Sequence, residues 1–410
     1  MVYNGRPEAL FLAHRIPYPP DKGDKIRSWN LLRHLTKTHA VHLGAFVDDT
    51  EDFAHEATLR AVCASVKLVA LDPRLQRVKS LRGLATGEAL SMPYYRSAEM
   101  AAWVAATRER DLDFEAAFSS TMAPYIETPV AGRPRVIDLV DADSEKWRQY
   151  ATAKSFPMSW VYGREGRRLA EAEGRICSWA EASFLVSAAE RETLINATTA
   201  PAEKVDWWAN GVDTAFFAPD ADFEPLADPA EFVFTGAMDY WANAEAVAWF
   251  VAEVWPRIRA EAPTARFAIV GARPGEDVQR LAAEPGVAVT GRVPDVRPYL
   301  AGAAVSVAPL RIARGVQNKV LEAMAMAKAV LATPDAAAGL EVEDGADIVI
   351  AESAEAVARD ALALLGHADR RAALGEAARR RVVDGYSWDG RLKRFDAGLE
   401  KARERARMAP

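Results

Sequence analysis

The most pointed chemistry in this chain lies in RGVQNKVLEAMAMAKAVLAT, residues 314–333. From Val320 to Ala327 the segment has almost no polar side, the pattern of a helix buried in a core. Lys319 and Glu322 nevertheless stand near its start, three residues apart and so on one helical face. A buried carboxylate is costly unless something pairs with it, and a lysine in a first turn opposes the helix dipole. A phosphate at the helix start would reverse the lysine's penalty, and charge-assisted bonds to a bound diol would satisfy the glutamate. On an exposed helix the same residues would be only an i,i+3 pair worth roughly 0.2–0.5 kcal/mol. Because the helix reads as buried, the spacing points to a ligand: phosphate for Lys319, sugar hydroxyls for Glu322. Arg314-Gly315-Val316 reads as a flexible turn just before it, and Asn318 is predicted to open the helix.

Three further constellations bear on chemistry. In DKGDK, residues 21–25, Gly23 would let a phosphate or substrate approach the backbone ahead of a helix N-terminus; an ordinary turn is the alternative. In FTGAMDYWANAE, residues 234–245, Gly236 ends a strand and Asn243 is placed to cap the next helix. In VDADSEKW, Asp141 and Asp143 match a DxD metal motif, though a strand end with a capping aspartate produces the same letters. One of the two could face a site and act on a hydroxyl. No GxxxxGK[ST] is present and no GxGxxG follows a strand, which argues against a P-loop nucleotidase and a dinucleotide oxidoreductase.

Elements that position these residues can be read from hydrophobic periodicity. Strands are predicted over 9–14, 40–47, 64–71, 116–120 and 135–143, with a strand running into a helix over 182–194. A helix is predicted over 25–37, with Ile26, Trp29, Leu32 and Leu35 as its apolar stripe. After a linker dense in Pro, Asp and Gly, the pattern restarts with strands at 231–238, 266–272, 286–293, 303–310 and 329–333. An amphipathic helix is predicted over 243–263, the apolar helix over 318–328, and a last helix near the C-terminus with Leu392, Phe395 and Leu399 as apolar positions. Strands alternating with helices specify parallel sheets with helices on both faces. Ligands of such sheets bind beyond the carboxyl ends of the strands, where the candidate residues fall.

Composition sets outer bounds. At 410 residues the chain exceeds one ordinary core, so two domains are expected. A net charge of -7 argues against nucleic acid as the main partner. Cys63 and Cys177 sit in no CxxC or Cys/His cluster and read as buried thiols of a reducing compartment. No secretory leader is legible and no apolar run is long enough to span a bilayer, so a cytoplasmic location is expected.

Several of these segments resemble retaining GT-B glycosyltransferases of family four. The resemblance is carried by PLRIARGVQNKVLEAMAMAKAVLAT, NGVDTAFFAP, FTGAMDYWANAEAVAWF, IVGARP and GRVPDVRPYLAGAAVSVAPLR, in order along nearly the whole chain. HRIPYPPDKGDKIRSWNLLRHL and IDLVDADSEKWRQYA resemble one subgroup more closely, the sugar transferases associated with exosortase A and PEP-CTERM systems and with exopolysaccharide loci. The resemblance implies two Rossmann-like domains facing across a cleft: an acceptor-binding domain at 1–205, a nucleotide-sugar-binding domain at 206–385, and a C-terminal helix at 386–410 crossing back. It implies transfer of a sugar from a nucleotide-sugar to a glycan or lipid-linked precursor, with retention, no obligatory metal and no cofactor.

Under that resemblance Glu322 takes the place of the second Glu of a Glu-x7-Glu motif, which binds the donor ribose. Arg314 stands where the first Glu is expected, and the Arg and Lys usual after the first strand of the second domain are absent from GAMDYWAN, so Lys319 with Arg314 would supply the positive charge. Catalytic roles then fall to Asp141, Arg314 and Lys319. Donor binding falls to Gly23, Gly236, Asn243, Arg292, Val293, Gly315, Asn318, Lys319 and Glu322, with the base read by backbone near Arg292 and Val293. Acceptor binding falls to Asp24, Lys25, Arg27 and Asp143. Two alternatives share the fold: a nucleotide-sugar epimerase, and a non-catalytic nucleotide-sugar-binding scaffold of a glycan-assembly complex. Finally, residues 73–97 carry Arg74, Arg77, Lys79, Arg82 and Arg96 against the single acid Glu88, interleaved with Leu75, Val78, Leu81 and Leu84. Such a surface suits peripheral contact with a membrane; a solvated helix face is the alternative.

Overall fold

The computed structural model describes residues 5–152, 154–313 and 316–408. Arg314 and Gly315, both singled out above, lie outside the described residues. The chain divides into two compact units, one ending at Ala209 and resuming at Leu392, the other Asn210–Arg391.

The first unit is built on β1 (Glu8–Ala13), β2 (Ala40–Val47), β3 (Ser65–Ala70), β4 (Leu112–Phe118), β5 (Arg135–Val140), β6 (Ala182–Leu185) and β7 (Val205–Trp207). All pair in parallel in the order β3-β2-β1-β4-β5-β6-β7. The strands are nearly all apolar because helices cover both faces. β7 falls in the stretch read from sequence as linker; three residues are too few to show a period. The order reverses direction between β1 and β4, and that topological switch is where such sheets open a crevice. Ala13 and Phe118 are register partners there, so the residues that follow them share one edge.

Helix α1 (Gly23–Thr38) follows β1. Its buried face is not the predicted apolar stripe alone: Lys25, Arg27 and Ser28 are buried with Leu31, Leu32 and Leu35, while Ile26 and Trp29 are only half-buried. Helix α2 (Pro73–Ser80) lies on the surface, and α3 (Asp143–Thr152) packs along α4 (Met158–Trp179).

The second unit holds β8 (Phe232–Thr235), β9 (Phe267–Val270), β10 (Val287–Gly291), β11 (Val305–Ala308), β12 (Ala329–Ala332) and β13 (Val349–Ile350). They form a parallel sheet in the order β10-β9-β8-β11-β12-β13, the same winding as the first sheet with its switch between β8 and β11. Helix α5 (Trp241–Trp249) runs on through a π-turn at Phe250–Val254 before a final helical stretch, so the predicted single helix is interrupted. Pro256 explains this: it lacks an N–H and its ring clashes with the carbonyl four residues back. Helix α6 (Asn318–Ala325) stops three residues earlier than predicted, Ala327 taking φ 52° where the chain turns into β12.

Helix α7 (Ala368–Gly385) packs Gly375 onto the backbone of Ala327. Helix α8 (Trp388–Met408) closes the chain. As expected it returns to the first unit, burying Leu392, Phe395, Leu399, Ala402 and Ala406. Phe395 packs on Phe184 at 5.2 Å between ring centroids, and Gly398 leaves room for the same ring. Cys63 and Cys177 are free and buried, and burial pushes both thiols up to about 12. Among the described residues no helix is long and apolar enough to cross a membrane.

Candidate functional site

In the second unit, the switch between β8 and β11 gathers five of the sequence-predicted residues. Gly236 follows β8 directly, and its N–H donates to Val270 O at 3.0 Å. A Cβ at Gly236 would meet Asn243 Nδ2 at 2.7 Å and Lys319 Cε at 3.3 Å, so these three pack into one small volume. Behind them Gly271 is equally constrained, since a Cβ there would lie 1.7 Å from Gly236 O. Asn243 does not cap its helix with its side chain. Its Nδ2 donates to Ala237 O at 2.8 Å, and its Oδ1 is buried without a partner. Asn318 opens α6 and accepts from Asn210 Nδ2 at 3.2 Å. No side chain caps α6, so its first-turn amides keep their anion-binding character.

Lys319 extends from the first turn of α6 over the Phe234 ring, Nζ 5.5 Å from the centroid. Its hydrogen bond is a long one, 3.4 Å to Gln317 Oε1. The Glu322 side chain, one turn on, makes no hydrogen bond or ion pair among the described residues. Both side chains are half-buried. Burial pushes Lys319 down to about 8 and Glu322 up to about 7, and each charge only partly offsets the other's desolvation. Two opposite charges at one helix start, neither strongly bonded to protein, have the chemistry to pair with an anion and with hydroxyls. Arg292 and Val293 lie just beyond β10, two strands from β8 in the sheet; Arg292 is exposed and Val293 half-buried.

In the first unit the switch between β1 and β4 is lined by residues that the sequence reading passed over. His14 and Arg15 follow β1. The His14 ring stacks on Phe118 at 5.9 Å, and its Nε2 lies 3.2 Å from Asp24 Oδ2. Arg15 also pairs with Asp24, and reaches Asp48 Oδ2 at 3.0 Å. Burial would raise the Asp24 carboxyl, but the His14 bond and the Arg15 charge hold it well below the usual carboxylate range. For Arg15 the signal was available, since it stands directly after the predicted strand; His14 falls within that predicted strand, which in the structure ends at Ala13. Gly23 is the exposed first residue of α1, beside this cluster in sequence.

The other acceptor-side expectations need correction. Lys25 is 2% exposed, with Nζ 2.6 Å from Asp52 Oδ2 and 3.4 Å from Asp21 Oδ1. Arg27 is wholly buried: it forks onto Asp138 at 3.0 and 3.1 Å, donates to Trp208 O at 2.8 Å and lies 3.3 Å over the Trp208 ring. Both cations are committed to the framework and leave nothing to present to an acceptor. A basic residue on a helix reads as exposed unless its partners are known, and these partners lie up to 181 residues away in sequence.

Asp141 and Asp143 are bridged by Lys146, whose Nζ lies 2.5 Å from the first and 3.1 Å from the second. A lysine thus occupies the place a divalent cation would take between them, and burial notwithstanding, the two carboxylates hold its pKa well up. Among the described residues no group of three or more His, Cys, Asp or Glu side chains is arranged to hold a metal ion. Val140, just before Asp141, has φ 71°, a conformation a β-branched residue rarely adopts; Ser119, after β4, has φ 82°. Backbone strain of this kind gathers at functional edges, and here it falls at the ends of β4 and β5, beside Asp141.

Residues 229–367 match the model of a family described as Glycosyl transferases group 1. No curated protein matches the chain. Among solved structures, the Anabaena protein HepE in complex with UDP and glucose is similar with a TM-score of 0.68 at 16% identity, covering 96% of this chain and 100% of that one. The sucrose-phosphate synthase of Thermosynechococcus elongatus is similar with a TM-score of 0.69 at 16% identity, over 97% and 98% of the two chains. WaaG, a glycosyltransferase involved in lipopolysaccharide biosynthesis, gives 0.64 at 14% identity, over 95% and 98%. The fold of this chain is therefore that of the GT-B glycosyltransferases, two Rossmann-like α/β units, with the group 1 glycosyltransferase match confined to the second.

Proposed function

We propose that this chain is a glycosyltransferase that moves a sugar from a nucleoside-diphosphate sugar to a hydroxyl of a glycan or lipid-linked acceptor. The observation that carries the reading is the Lys319–Glu322 pair on the first turns of α6, facing the Gly236–Asn243 turn at the switch of the second sheet. Glu322 accepts hydrogen bonds from the donor ribose, while Lys319 and the α6 amides hold the diphosphate. HepE has been captured with UDP and with UDP-glucose, so a uridine donor is the first to test.

The reaction retains anomeric configuration and needs no metal. The glycosidic C–O bond to the departing phosphate breaks as the acceptor oxygen bonds to the anomeric carbon on the same face. The acceptor proton passes to a phosphate oxygen of the leaving group. The protein's main task is then to stabilise the growing diphosphate charge, for which Lys319 is placed. On the first unit His14 beyond β1, Asp24 in the first turn of α1 and Asp141 beyond β5 are polar groups that could orient an acceptor hydroxyl. The acceptor class, following the sequence resemblance, is an exopolysaccharide precursor.

A thermal-shift panel of UDP, GDP, ADP and dTDP with their sugars tests this, on the wild type and on Glu322→Ala. A ligand bound at about 100 times its Kd stabilises by about 2.7 kcal/mol. One nucleotide should raise the melting temperature and lose that effect in the variant. No shift with any nucleotide would overturn the donor assignment. Turnover of the bound donor without acceptor, followed by NMR, would favour the epimerase instead.

A further inference from the structure

The first unit carries a surface whose polarity is inverted. In α2 the single buried side chain is Gln76, while Leu75 and Val78 are 50% and 66% exposed. The exposed apolar series continues at three-residue intervals through Leu81 and Leu84, 54% and 47% exposed. An amphipathic helix ordinarily turns such residues inward. Arg74, Arg77, Lys79 and Arg82 are interleaved with them and exposed, and none forms an ion pair among the described residues. The acids nearest in sequence are engaged: Asp72 accepts from the first amides of α2, and Glu88 is bound by Arg96 at 2.7 and 3.0 Å. In a chain of net charge -7, most of whose arginines are paired, four free cations on one apolar face stand out.

A second element extends the same face. Arg164 on α4 donates to Gly83 O at 2.7 Å and to Glu88 O at 3.1 Å, and Glu165 accepts from Leu90 and Ser91. The start of α4 is thereby held against the 83–91 segment. Trp160 lies one turn before Arg164 on the same helical side and is 55% exposed, and Phe156, just ahead of the helix, is 81% exposed. Unpaired Lys154 stands beside Phe156 and is exposed.

We infer that Leu75, Val78, Leu81, Leu84, Phe156 and Trp160, ringed by the free cations, form a docking face for an anionic lipid bilayer. Alternation of basic and apolar side chains, with large aromatics at the margin, matches the interface of acidic headgroups and acyl chains. A lipid surface is favoured over an acidic protein because the apolar side chains stand 47–81% exposed among the cations, so that both kinds meet one interface together. The inference concerns a surface of the first unit, separate from the proposed donor site, and its test needs neither donor nor acceptor.

The experiment is flotation of the full chain with vesicles of phosphatidylcholine alone and of three parts phosphatidylcholine to one part phosphatidylglycerol. Binding is expected only to the anionic vesicles and should weaken with added salt. Each cation removed should weaken it roughly fivefold, so Arg74→Ser/Arg77→Ser/Lys79→Ser/Arg82→Ser together should cost on the order of several hundredfold. The Leu75→Ser/Val78→Ser/Trp160→Ser variant should bind weakly and dissociate at salt that the wild type withstands. All these positions are exposed, so unchanged circular dichroism is expected as the folding control. Equal binding to both vesicle types, or anionic binding that survives both variants, would overturn the inference. So would concentration-dependent dimers abolished by the same substitutions without vesicle binding, which would make the face a contact between two copies.

Discussion

Replacing Glu322 by glutamine keeps the shape of the side chain and removes its charge, so it tests the proposed donor site twice. In the free protein the Glu322 carboxyl is displaced from 4.5 to about 7 by burial. The folded state then holds a proton that the unfolded chain releases. The stability this represents is fully present below pH 4.5 and is lost as pH rises through about 7. At about 1.36 kcal/mol per pH unit the displacement amounts to roughly 3 kcal/mol, and water reaching the half-buried group reduces it. Glu322→Gln cannot lose that stability, so its advantage over wild type should grow by up to about 3 kcal/mol between pH 4.5 and 7. Urea unfolding at a series of pH values reads this difference.

Donor binding should move the other way. Losing a charge-assisted hydrogen bond costs about 1.5–3 kcal/mol, or roughly 10–150-fold in Kd. In the proposed site the nucleotide needs Glu322 ionised and Lys319 protonated. Binding below about pH 7 must therefore release a proton, and binding above about pH 8 must take one up. Affinity should peak between those values. In Glu322→Gln the acid limb disappears and the alkaline limb moves toward neutrality, because the carboxylate no longer supports the ammonium charge. Calorimetry in buffers of different ionisation enthalpy measures both limbs. Unchanged nucleotide affinity in a folded variant, or an affinity profile flat from pH 6 to 9 in the wild type, would refute the reasoning.

Two shorter predictions separate site from framework. Gly236→Ala puts a methyl 2.7 Å from Asn243 Nδ2 and 3.3 Å from Lys319 Cε, so nucleotide affinity should drop at least tenfold by calorimetry, with the first unit's unfolding unchanged. Arg27→Met leaves Asp138 buried and unpaired, which costs about 3–5 kcal/mol; urea unfolding should show that loss, and a change below about 1 kcal/mol would return Arg27 to the functional set.

How much of this was legible in the sequence depends on the range of the interaction. The parallel α/β class followed from local period and turn chemistry, and the Lys319–Glu322 face followed from helical spacing, because both are set by neighbours within a few residues. Gly236 and Asn243 could be named from their place after a strand. What they pack against could not, since Lys319 is 83 positions beyond Gly236 in number and meets it only because β8 and β11 are adjacent in the sheet.

The same limit produced the misreadings. Arg27 and Lys25 look like surface cations until Asp138 and Asp52 are brought to them, and Lys146, seen between the carboxylates of Asp141 and Asp143, is a partner that the letters of a DxD motif do not name. His14 was hidden inside the letters of a strand, and only the register of Ala13 with Phe118 shows that it opens onto the switch point. By itself, then, the sequence determined the layer architecture and which residue types stand at strand ends, because backbone sterics and side-chain periodicity are local. The tertiary structure alone decided which charges are spent holding the fold and which are left for a ligand, because the desolvation and pairing of a charge depend on groups that only the packed sheet brings within a few ångströms.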